Sequence, residues 1–306
     1  MSAVATVQRK ALTGYLAAAG TVAIWSGFIL VSRMGGKTAL TPYDVLALRL
    51  GTAALLLLPF AGSLPAGAWR DRKLWILALA GGLLYGLLVY AGFKSAPAAH
   101  GAILLPGLQP FLIAAVAWTI TGARPGRGRM LGLAGIGVGI ACVATPYFIG
   151  GWSAATVQGD ALFLGASLVW AIYSVLAKRW GYSAWTLTRF VALASALLFL
   201  PVYALWLPKA LSEVPTSMLL VQGLYQGIGP TIVAMLLFLK AVEILGPERT
   251  GAMIALVPVL AGVAAAPLLG EPLTASLLAG LAFVSAGAFI AARPLPTPQR
   301  SQPCPT

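Results

Sequence analysis

Long apolar segments follow one another along almost the whole chain, and only short polar connections separate them. Each segment is close to the roughly 20 residues that a helix needs to cross a bilayer. None has the alternating pattern of a barrel strand, so the segments predict membrane-spanning helices. We count ten such segments, at residues 14–32, 43–60, 74–95, 99–121, 130–149, 158–177, 184–206, 217–240, 248–269 and 273–292.

The chain also repeats itself at a fixed offset. Pro110 and Pro258 are 148 residues apart and lie near the middles of two predicted helices, and Trp25 and Trp170 match at an offset of 145. Self-similarity of this kind signals an internal repeat. We therefore expect two copies of one unit of roughly 145 residues, with five helices in each copy.

Basic residues are distributed unevenly between the two sets of alternate connections. If the N-terminus is cytoplasmic, fourteen of the twenty Lys and Arg fall on the cytoplasmic side and four on the other, and two lie within helices. Because cytoplasmic connections carry the excess of Lys and Arg, both termini are predicted to be cytoplasmic. Because each copy has five helices, an odd number, the two copies begin on opposite sides of the membrane. The second copy is therefore predicted to be inverted relative to the first, as in secondary transporters.

The repeat divides the chain into four predicted parts. The two five-helix repeats are placed at residues 14–150 and 151–292. A cytoplasmic segment, residues 1–13, precedes them. A proline-rich cytoplasmic tail, residues 293–306, follows them and is expected to be disordered. The overall expectation is an all-α membrane protein of ten transmembrane helices.

The composition agrees with a membrane protein and excludes other classes. Of the 306 residues, 59% are hydrophobic and 9% are charged, whereas soluble domains carry about 25% charged residues. The net charge of +13 does not indicate nucleic-acid binding, because the basic residues lie between apolar segments and no phosphate-cradling motif is present. Two cysteines, Cys142 and Cys304, provide no disulfide or metal framework. No cofactor, metal or nucleic-acid partner is therefore expected.

Three short motifs carry a family resemblance: the sequence GEPL at residues 270–273, LALRL at 46–50 and LTRF at 187–190. With the duplication and the mid-helix prolines, they make the chain similar to the EamA-type carriers of the drug/metabolite transporter superfamily, over residues 14–292. Within that superfamily the chain most resembles the YddG-type exporters of aromatic amino acids. The resemblance implies a multi-pass carrier of the inner (plasma) membrane.

Polar and aromatic residues inside the apolar segments are the candidates for a substrate site. In the eighth segment, Gln222, Tyr225 and Gln226 share one helix face, which should turn away from lipid because a buried amide without a partner is costly. A pocket of amide and aromatic groups suits a neutral or zwitterionic ligand with a ring; ordinary packing is the alternative. The predicted substrate-binding residues are Trp25, Tyr85, Tyr90, His100, Gln109, Trp170, Tyr173, Gln222, Tyr225 and Gln226.

Two prolines and two arginines are predicted to have hinge or structural roles. Pro110 and Pro258 interrupt the fourth and ninth helices at matching places, which marks the site in many transporters, although a kink that only shapes packing is the alternative. Arg49 and Arg189 lie at corresponding places inside helices, where a charge costs on the order of 3 kcal/mol. We expect them to snorkel or to anchor their helices, and Arg49 could also reach Asp44.

The positions of the acidic residues bear on coupling. All seven lie in or near connections. The small multidrug-resistance relatives exchange protons through a glutamate inside their first helix, whereas this first segment carries no charge. We therefore expect uncoupled, gradient-driven transport. The single histidine, His100, could titrate near neutral pH, but a hydrogen-bonding or lining role is favoured.

Together these features predict an exporter of aromatic amino acids or related small metabolites, working by alternating access through a cavity between the repeats. The alternatives are an exporter of other amino acids, nucleobases or drugs, and a receptor or scaffold that binds a ligand without moving it. An enzyme is not expected, because one histidine without a mid-membrane acid leaves no nucleophile–base pair. Glycines four residues apart indicate close packing or a dimer face, so the chain is expected to be a monomer or a homodimer.

Overall fold

The computed structural model of the chain describes residues 3–122, 126–148 and 153–292, and every regular element within them is helical. By length and composition, eight of its helical segments can cross a membrane. Two further helices are apolar over shorter stretches, Met130–Thr145 and Ala275–Ala291. The predicted tail, residues 293–306, lies outside the described residues.

We number these ten segments α1 to α10 in chain order. Because α1 begins at Ala3, its helix extends back through the segment predicted to precede the first span. The bounds are Ala3–Gly36 (α1), Pro42–Ser63 (α2), Arg72–Ser95 (α3), Ala98–Ile120 (α4), Arg127–Phe148 (α5), Ala154–Trp180 (α6), Ala184–Trp206 (α7), Thr216–Leu245 (α8), Arg249–Leu269 (α9) and Ala275–Ala291 (α10).

Helices α4 and α9 are interrupted at matching places. In α4 the regular helix resumes at Gln109, with Pro110 in its first turn. In α9 the helix stops at Ile254 and resumes at Val257, with Pro258 in the first turn. Proline lacks a backbone N–H and its ring excludes the carbonyl four residues earlier, which accounts for both interruptions. Pro110 and Pro258 therefore begin helical segments, and their role as moving hinges stays a prediction.

Wider π-helical turns occur in α3, α4 and α8. They span Ala78–Leu84, Ile103–Gly107, Val221–Tyr225 and Gly229–Val233. Pro106 lies in the α4 turn and Pro230 in the second α8 turn. Such turns leave carbonyl groups without their usual helical partners and are frequent at functional sites. The interior of the bundle is thus lined in part by irregular backbone.

Each helix of the first half packs against a helix of the second half. The pairs are α1 with α8, α2 with α7, α3 with α6, α4 with α9 and α5 with α10. The partners run antiparallel: a Cβ on Gly14, early in α1, would meet Leu245 at the end of α8, and a Cβ on Gly35 would meet Gln222. The two halves therefore interleave instead of forming separate domains.

The α5–α10 pair is in contact through glycine. Gly132 faces the backbone of Gly287, and Gly139 faces the backbone of Gly280. A Cβ on Gly139 would lie 2.5 Å from Val284 Cγ2 and 2.8 Å from the Gly280 carbonyl oxygen. Gly139, which belongs to the pair Gly135 and Gly139 that the sequence left open between close packing and a dimer face, is used for packing inside the chain.

We predict that Gly139→Ala destabilises the protein by about 1–3 kcal/mol, because the added methyl group meets backbone that cannot move away cheaply. Gly137→Ala, two residues away on the same helix, is the matched control, since nothing lies within 4 Å of a Cβ there. The midpoint of thermal unfolding in detergent should fall for Gly139→Ala and stay unchanged or rise for Gly137→Ala. Equal midpoints would contradict the close α5–α10 contact.

Candidate functional site

A group of charged side chains joins the two halves at the end of the bundle where α1 ends and α4 begins. Arg33 Nε donates to Glu271 Oε1 at 2.7 Å, and Arg33 Nη1 donates to the Phe93 carbonyl oxygen at 2.7 Å. The backbone N–H of Ala98 donates to Glu271 Oε2 at 2.7 Å. Glu271 lies between α9 and α10, so it ties α1 and the start of α4 to the second half.

His100 forms a second link at this end. Its Nδ1 lies 3.1 Å and 2.9 Å from the two carboxylate oxygens of Asp160, near the start of α6. His100 and Glu271 border a cavity of about 200 Å³ beside the connections. His100 thus lies apart from the aromatic residues predicted to share its site. We refer to Arg33, Glu271, His100 and Asp160 together as the polar seal.

Asp44 is buried at the same end of the bundle. Its carboxylate accepts hydrogen bonds from the Thr41 backbone and side chain at 2.7 Å and 2.8 Å, from the Tyr203 hydroxyl at 2.6 Å and from the Ala210 N–H at 3.1 Å. These neutral donors stabilise the charge, and Lys94 acts on it electrostatically from nearby. Asp44 therefore joins the start of α2 to the end of α7, and the contact between Arg49 and Asp44 that the sequence allowed is not formed.

Carboxylates that lie near connections in the sequence are partly or fully inside the protein. Asp44 is 0% exposed and Asp160 is 7% exposed, and both Asp160 and Glu271 face a basic side chain. Within the described residues, no group of three or more His, Cys, Asp or Glu side chains is placed to hold a metal ion.

Arg49 does not snorkel to the surface. Its Nε donates to Thr231 Oγ1 of α8 at 3.1 Å, its Nη1 donates to the Tyr90 hydroxyl at 3.3 Å, and its guanidinium lies 5.7 Å from the centre of the Phe28 ring. Of the two roles expected for Arg49, snorkelling and helix anchoring, these contacts with three neighbouring helices match anchoring.

Arg189 matches the anchoring alternative. It donates to the Trp185 carbonyl oxygen and to the Phe60 carbonyl oxygen, each at 3.2 Å, and to the Ser63 hydroxyl. These bonds fasten the end of α2 to the start of α7. The two arginines, which the sequence treated as equivalent, thus have different surroundings.

The polar face of α8 turns inward but meets α1 instead of open space. Gln222 Nε2 donates to the Val31 carbonyl oxygen at 2.8 Å, and Gln226 Nε2 donates to Ser32 Oγ at 3.0 Å. The Tyr225 hydroxyl donates to the Ile24 carbonyl oxygen at 2.9 Å. The amide oxygens of Gln222 and Gln226 are buried and accept no hydrogen bond from any described residue. In this conformation the face therefore holds α8 against α1.

Three of the predicted aromatic residues form one cluster between α3 and α6. The ring centres of Tyr85 and Trp170 are 4.7 Å apart, and those of Trp170 and Tyr173 are 5.1 Å apart. Tyr90 lies on another face of α3, against Phe28 and Arg49. Trp25 packs separately against Phe238. The aromatic candidates thus divide into one cluster, Tyr85–Trp170–Tyr173, and three separate residues, Trp25, Tyr90 and Tyr225.

Gln109 lies beside this cluster, at the interruption of α4. Its Nε2 donates to the Ser167 carbonyl oxygen at 3.2 Å, one turn from Trp170, and its Oε1 is buried without a hydrogen bond from the described residues. Ser167 Oγ in turn donates to the Leu104 carbonyl oxygen in the π-helical turn, at 2.5 Å. The side chains of α6 therefore stabilise the irregular backbone of α4.

The opposite end of the bundle has its own link between the halves. The Tyr182 hydroxyl, between α6 and α7, donates to Asp71, which caps the start of α3. Burial and this bond raise the pKa of Tyr182 to about 12, and the same bond holds the pKa of Asp71 below its usual value.

Sequence reasoning missed two partners in these contacts. Glu271 was noted only as part of the motif at 270–273, and Thr231 only as a neighbour of Pro230. A basic residue in the last turn of α1 and an acid in a connection on the same predicted side of the membrane were the available signal for the Arg33–Glu271 pair. No comparable signal pointed to Thr231.

Comparisons with known proteins agree with the helical architecture. A sequence profile described as the EamA-like transporter family matches residues 12–145 and again residues 157–293. Sixteen solved chains are similar in structure. One of them, a protein crystal structure, has a TM-score of 0.61 and 22% identity, over 92% of this chain and 97% of that chain. No curated protein matches the chain. The finer resemblance to YddG-type exporters therefore stays a prediction.

We predict that Glu271→Ala opens the sealed end, because it removes the partner of Arg33 and the acceptor for the Ala98 N–H. The readout is a cysteine at Ala265, which is 1% exposed and borders the same cavity, in a Cys142→Ser, Cys304→Ser background. Its reaction rate with a membrane-impermeant maleimide should rise about tenfold or more, since charged hydrogen bonds contribute about 1.5–3 kcal/mol.

The matched control is Glu243→Ala, which breaks an ion pair whose side chains are 51% and 65% exposed. Exposed pairs contribute little, so its labelling rate should equal that of the background. A rate for Glu271→Ala no higher than that of Glu243→Ala would show that the polar seal does not close this end.

Proposed function

This chain belongs to the EamA-like transporter family, and we propose that it exports aromatic amino acids or closely related small metabolites across the inner membrane. Members of the family are carriers of small molecules, not enzymes. The observation that carries the proposed substrate is the Tyr85–Trp170–Tyr173 cluster, which lies between the two halves beside the interrupted helix α4. Aromatic side chains favour stacking or edge contacts with a ligand ring.

The pairing of helices supports two inverted repeats. If the repeats are related by a two-fold axis, the contact between the first helix of one and the third helix of the other must occur twice. It does, as α1 with α8 and as α3 with α6, and the second, fourth and fifth helices each meet their own counterpart. Glycines that correspond in the repeat, 148 residues apart, also exchange partners: Gly132 corresponds to Gly280 and Gly139 to Gly287, but Gly132 contacts Gly287 and Gly139 contacts Gly280. An inverted pair of repeats is the usual framework of alternating access.

The polar seal supports alternating access as the mechanism. It joins α1 and α4 of the first half to α6 and to the α9–α10 connection of the second. A carrier that opens to each side in turn must break such contacts at one end while it forms others at the opposite end. With cytoplasmic termini, as the basic residues favour, the polar seal closes the outer end.

The bonding of the acids supports transport without proton coupling. Asp44 is held by four neutral donors, and Glu271 is paired with Arg33. The His100–Asp160 pair is the group from which the rival, proton-coupled mechanism would have to start.

For a zwitterionic substrate, the buried Gln109 Oε1 supplies an acceptor suited to an ammonium group.

We predict that proteoliposomes containing the purified chain take up labelled phenylalanine and tryptophan, at rates that do not change when a pH gradient is imposed. Empty liposomes are the control. Rates that depend on the gradient would reject the uncoupled mechanism and move attention to His100 and Asp160. Binding of these amino acids without uptake would identify a receptor, and neither binding nor uptake would reject the aromatic substrate.

We further predict that Trp170→Ala lowers the initial rate of phenylalanine uptake about two- to tenfold, because an aromatic contact contributes about 0.5–1.5 kcal/mol. Trp206→Ala is the matched control, since Trp206 is 73% exposed at the end of α7. Uptake of phenylalanine that is equally fast in both variants would remove Trp170 from the site.

A further inference from the structure

Arg49 lies inside the bundle and has no carboxylate partner among the described residues. Its hydrogen-bond partners are two hydroxyl groups, on Thr231 and Tyr90, and its third contact is the Phe28 ring. A positive charge inside the membrane is costly, and arginines in such places usually face a partner or a water-filled space. The contacts of Arg49 with the described residues include no anion.

The guanidinium of Arg49 has donors to spare. It carries five N–H groups in a planar fork, and among the described residues only one bond from Nε and one from Nη1 are formed. Nη2 makes no bond there and is not among the buried unpaired atoms, so it faces accessible space. Nη2 and the second N–H of Nη1 therefore remain as donors for a carboxylate, the group that arginine favours.

Arg189 provides the internal comparison. It is 4% exposed and donates to two backbone carbonyl oxygens and a hydroxyl group. Backbone carbonyl oxygens are permanent acceptors, so the Nε and Nη1 donors of Arg189 are held by the protein's own groups. Arg49 is partly exposed and donates to no carbonyl oxygen of the described chain. The difference indicates that Arg49 is kept available for another acceptor.

The position of Arg49 fits a substrate that spans from a carboxylate to a ring. Its Nη1 donates to the hydroxyl group of Tyr90 at 3.3 Å, and Tyr85, five residues earlier on α3, packs against Trp170 with ring centres 4.7 Å apart. Helix α3 therefore links Arg49 to the Tyr85–Trp170–Tyr173 cluster. It also contacts Thr231 across the boundary between the halves, in the second π-helical turn of α8.

We propose that Arg49 binds the carboxylate of the transported molecule while the Tyr85–Trp170 pair contacts its aromatic ring. The substrate class is then an aromatic amino acid or another aromatic monocarboxylate. This inference rests on the proposed transport function and adds the group that recognises the charged end of the substrate. Amides and amines that keep the ring but lack the carboxylate are excluded as good substrates.

The test compares acids with their amides on the purified full chain. The apparent affinities of L-phenylalanine, phenylalaninamide, L-leucine and leucinamide are measured from the shift in thermal unfolding midpoint. In the unsubstituted chain the acids should bind about 10- to 100-fold more tightly than the amides, as expected for a charge-assisted pair of hydrogen bonds. Arg49→Gln should remove this difference, and Arg49→Lys, which keeps the charge and loses the fork, should restore part of it.

The control variant is Arg179→Gln, which removes one exposed positive charge near the end of α6 and should leave the preference for acids unchanged. If Arg49→Gln does not fold, comparing acid and amide in the unsubstituted chain and in Arg49→Lys still tests whether Arg49 binds the carboxylate. If the role of Arg49 is purely structural, Arg49→Gln would shift the unfolding midpoint by the same amount with every ligand. The preference for acid over amide would then stay unchanged.

The outcomes separate this inference from the proposed function. Transport of phenylalanine with equal affinity for acid and amide would overturn the role of Arg49 and leave the proposed function standing. Arg49-dependent binding of leucine without binding of phenylalanine would support the role of Arg49 and reject the aromatic substrate. Binding of no acid at all would overturn both.

Discussion

The hydrocarbon core of a membrane offers no water to a backbone group, and most of this structure depends on that constraint. A helix there can depart from regular hydrogen bonding only where protein groups replace the missing bonds. Ser167 Oγ does so for the Leu104 carbonyl oxygen in α4, and Thr231 Oγ1 does so for the Gln226 carbonyl oxygen in α8, at 2.8 Å. The main role of these polar residues is therefore to supply the hydrogen bonds that irregular backbone inside the bundle requires.

The same low dielectric governs the charged side chains. Near the connections, Glu271 and Asp160 are each paired with a basic residue, and Asp44 is surrounded by donors. Pairing is required because an isolated buried charge is unstable. Arg49 stands apart within the described chain, since hydroxyl groups and an aromatic ring offset only part of its desolvation. This incompletely balanced charge is the observation behind the proposed role of Arg49 in substrate binding.

The way the halves interleave suggests how such a bundle can move. The α5–α10 contact is glycine against backbone, and close backbone packing of this kind resists sliding. The polar seal consists of side-chain contacts at one end, which can break and form again without repacking the helices. Interrupted helices α4 and α9 lie next to each other, with a Cβ on Gly107 only 3.5 Å from Pro258 Cγ. A rocking motion needs both a rigid pair of helices, here α5 and α10, and contacts that can break, here those of the polar seal.

Sequence reasoning predicted the helical class, the duplicated unit and the interruptions at Pro110 and Pro258, because apolar length and proline chemistry are local properties. It also singled out Tyr85, Trp170 and Gln109 as candidate interior residues, and it expected Arg49 and Arg189 alike to snorkel or to anchor their helices. It could not separate Arg49 from Arg189.

Only the tertiary structure decided which interior residues meet. Helical periodicity tells which residues share a face, but not which helix that face contacts. For that reason the Gln222–Gln226 face was expected to line a cavity and instead packs on α1. Arg49 was expected to snorkel or to anchor its helix, and it lies among Tyr90, Phe28 and Thr231 from three other helices. Contacts between residues 182 positions apart, as for Arg49 and Thr231, depend on how the two halves interleave, and no local pattern of the chain encodes that.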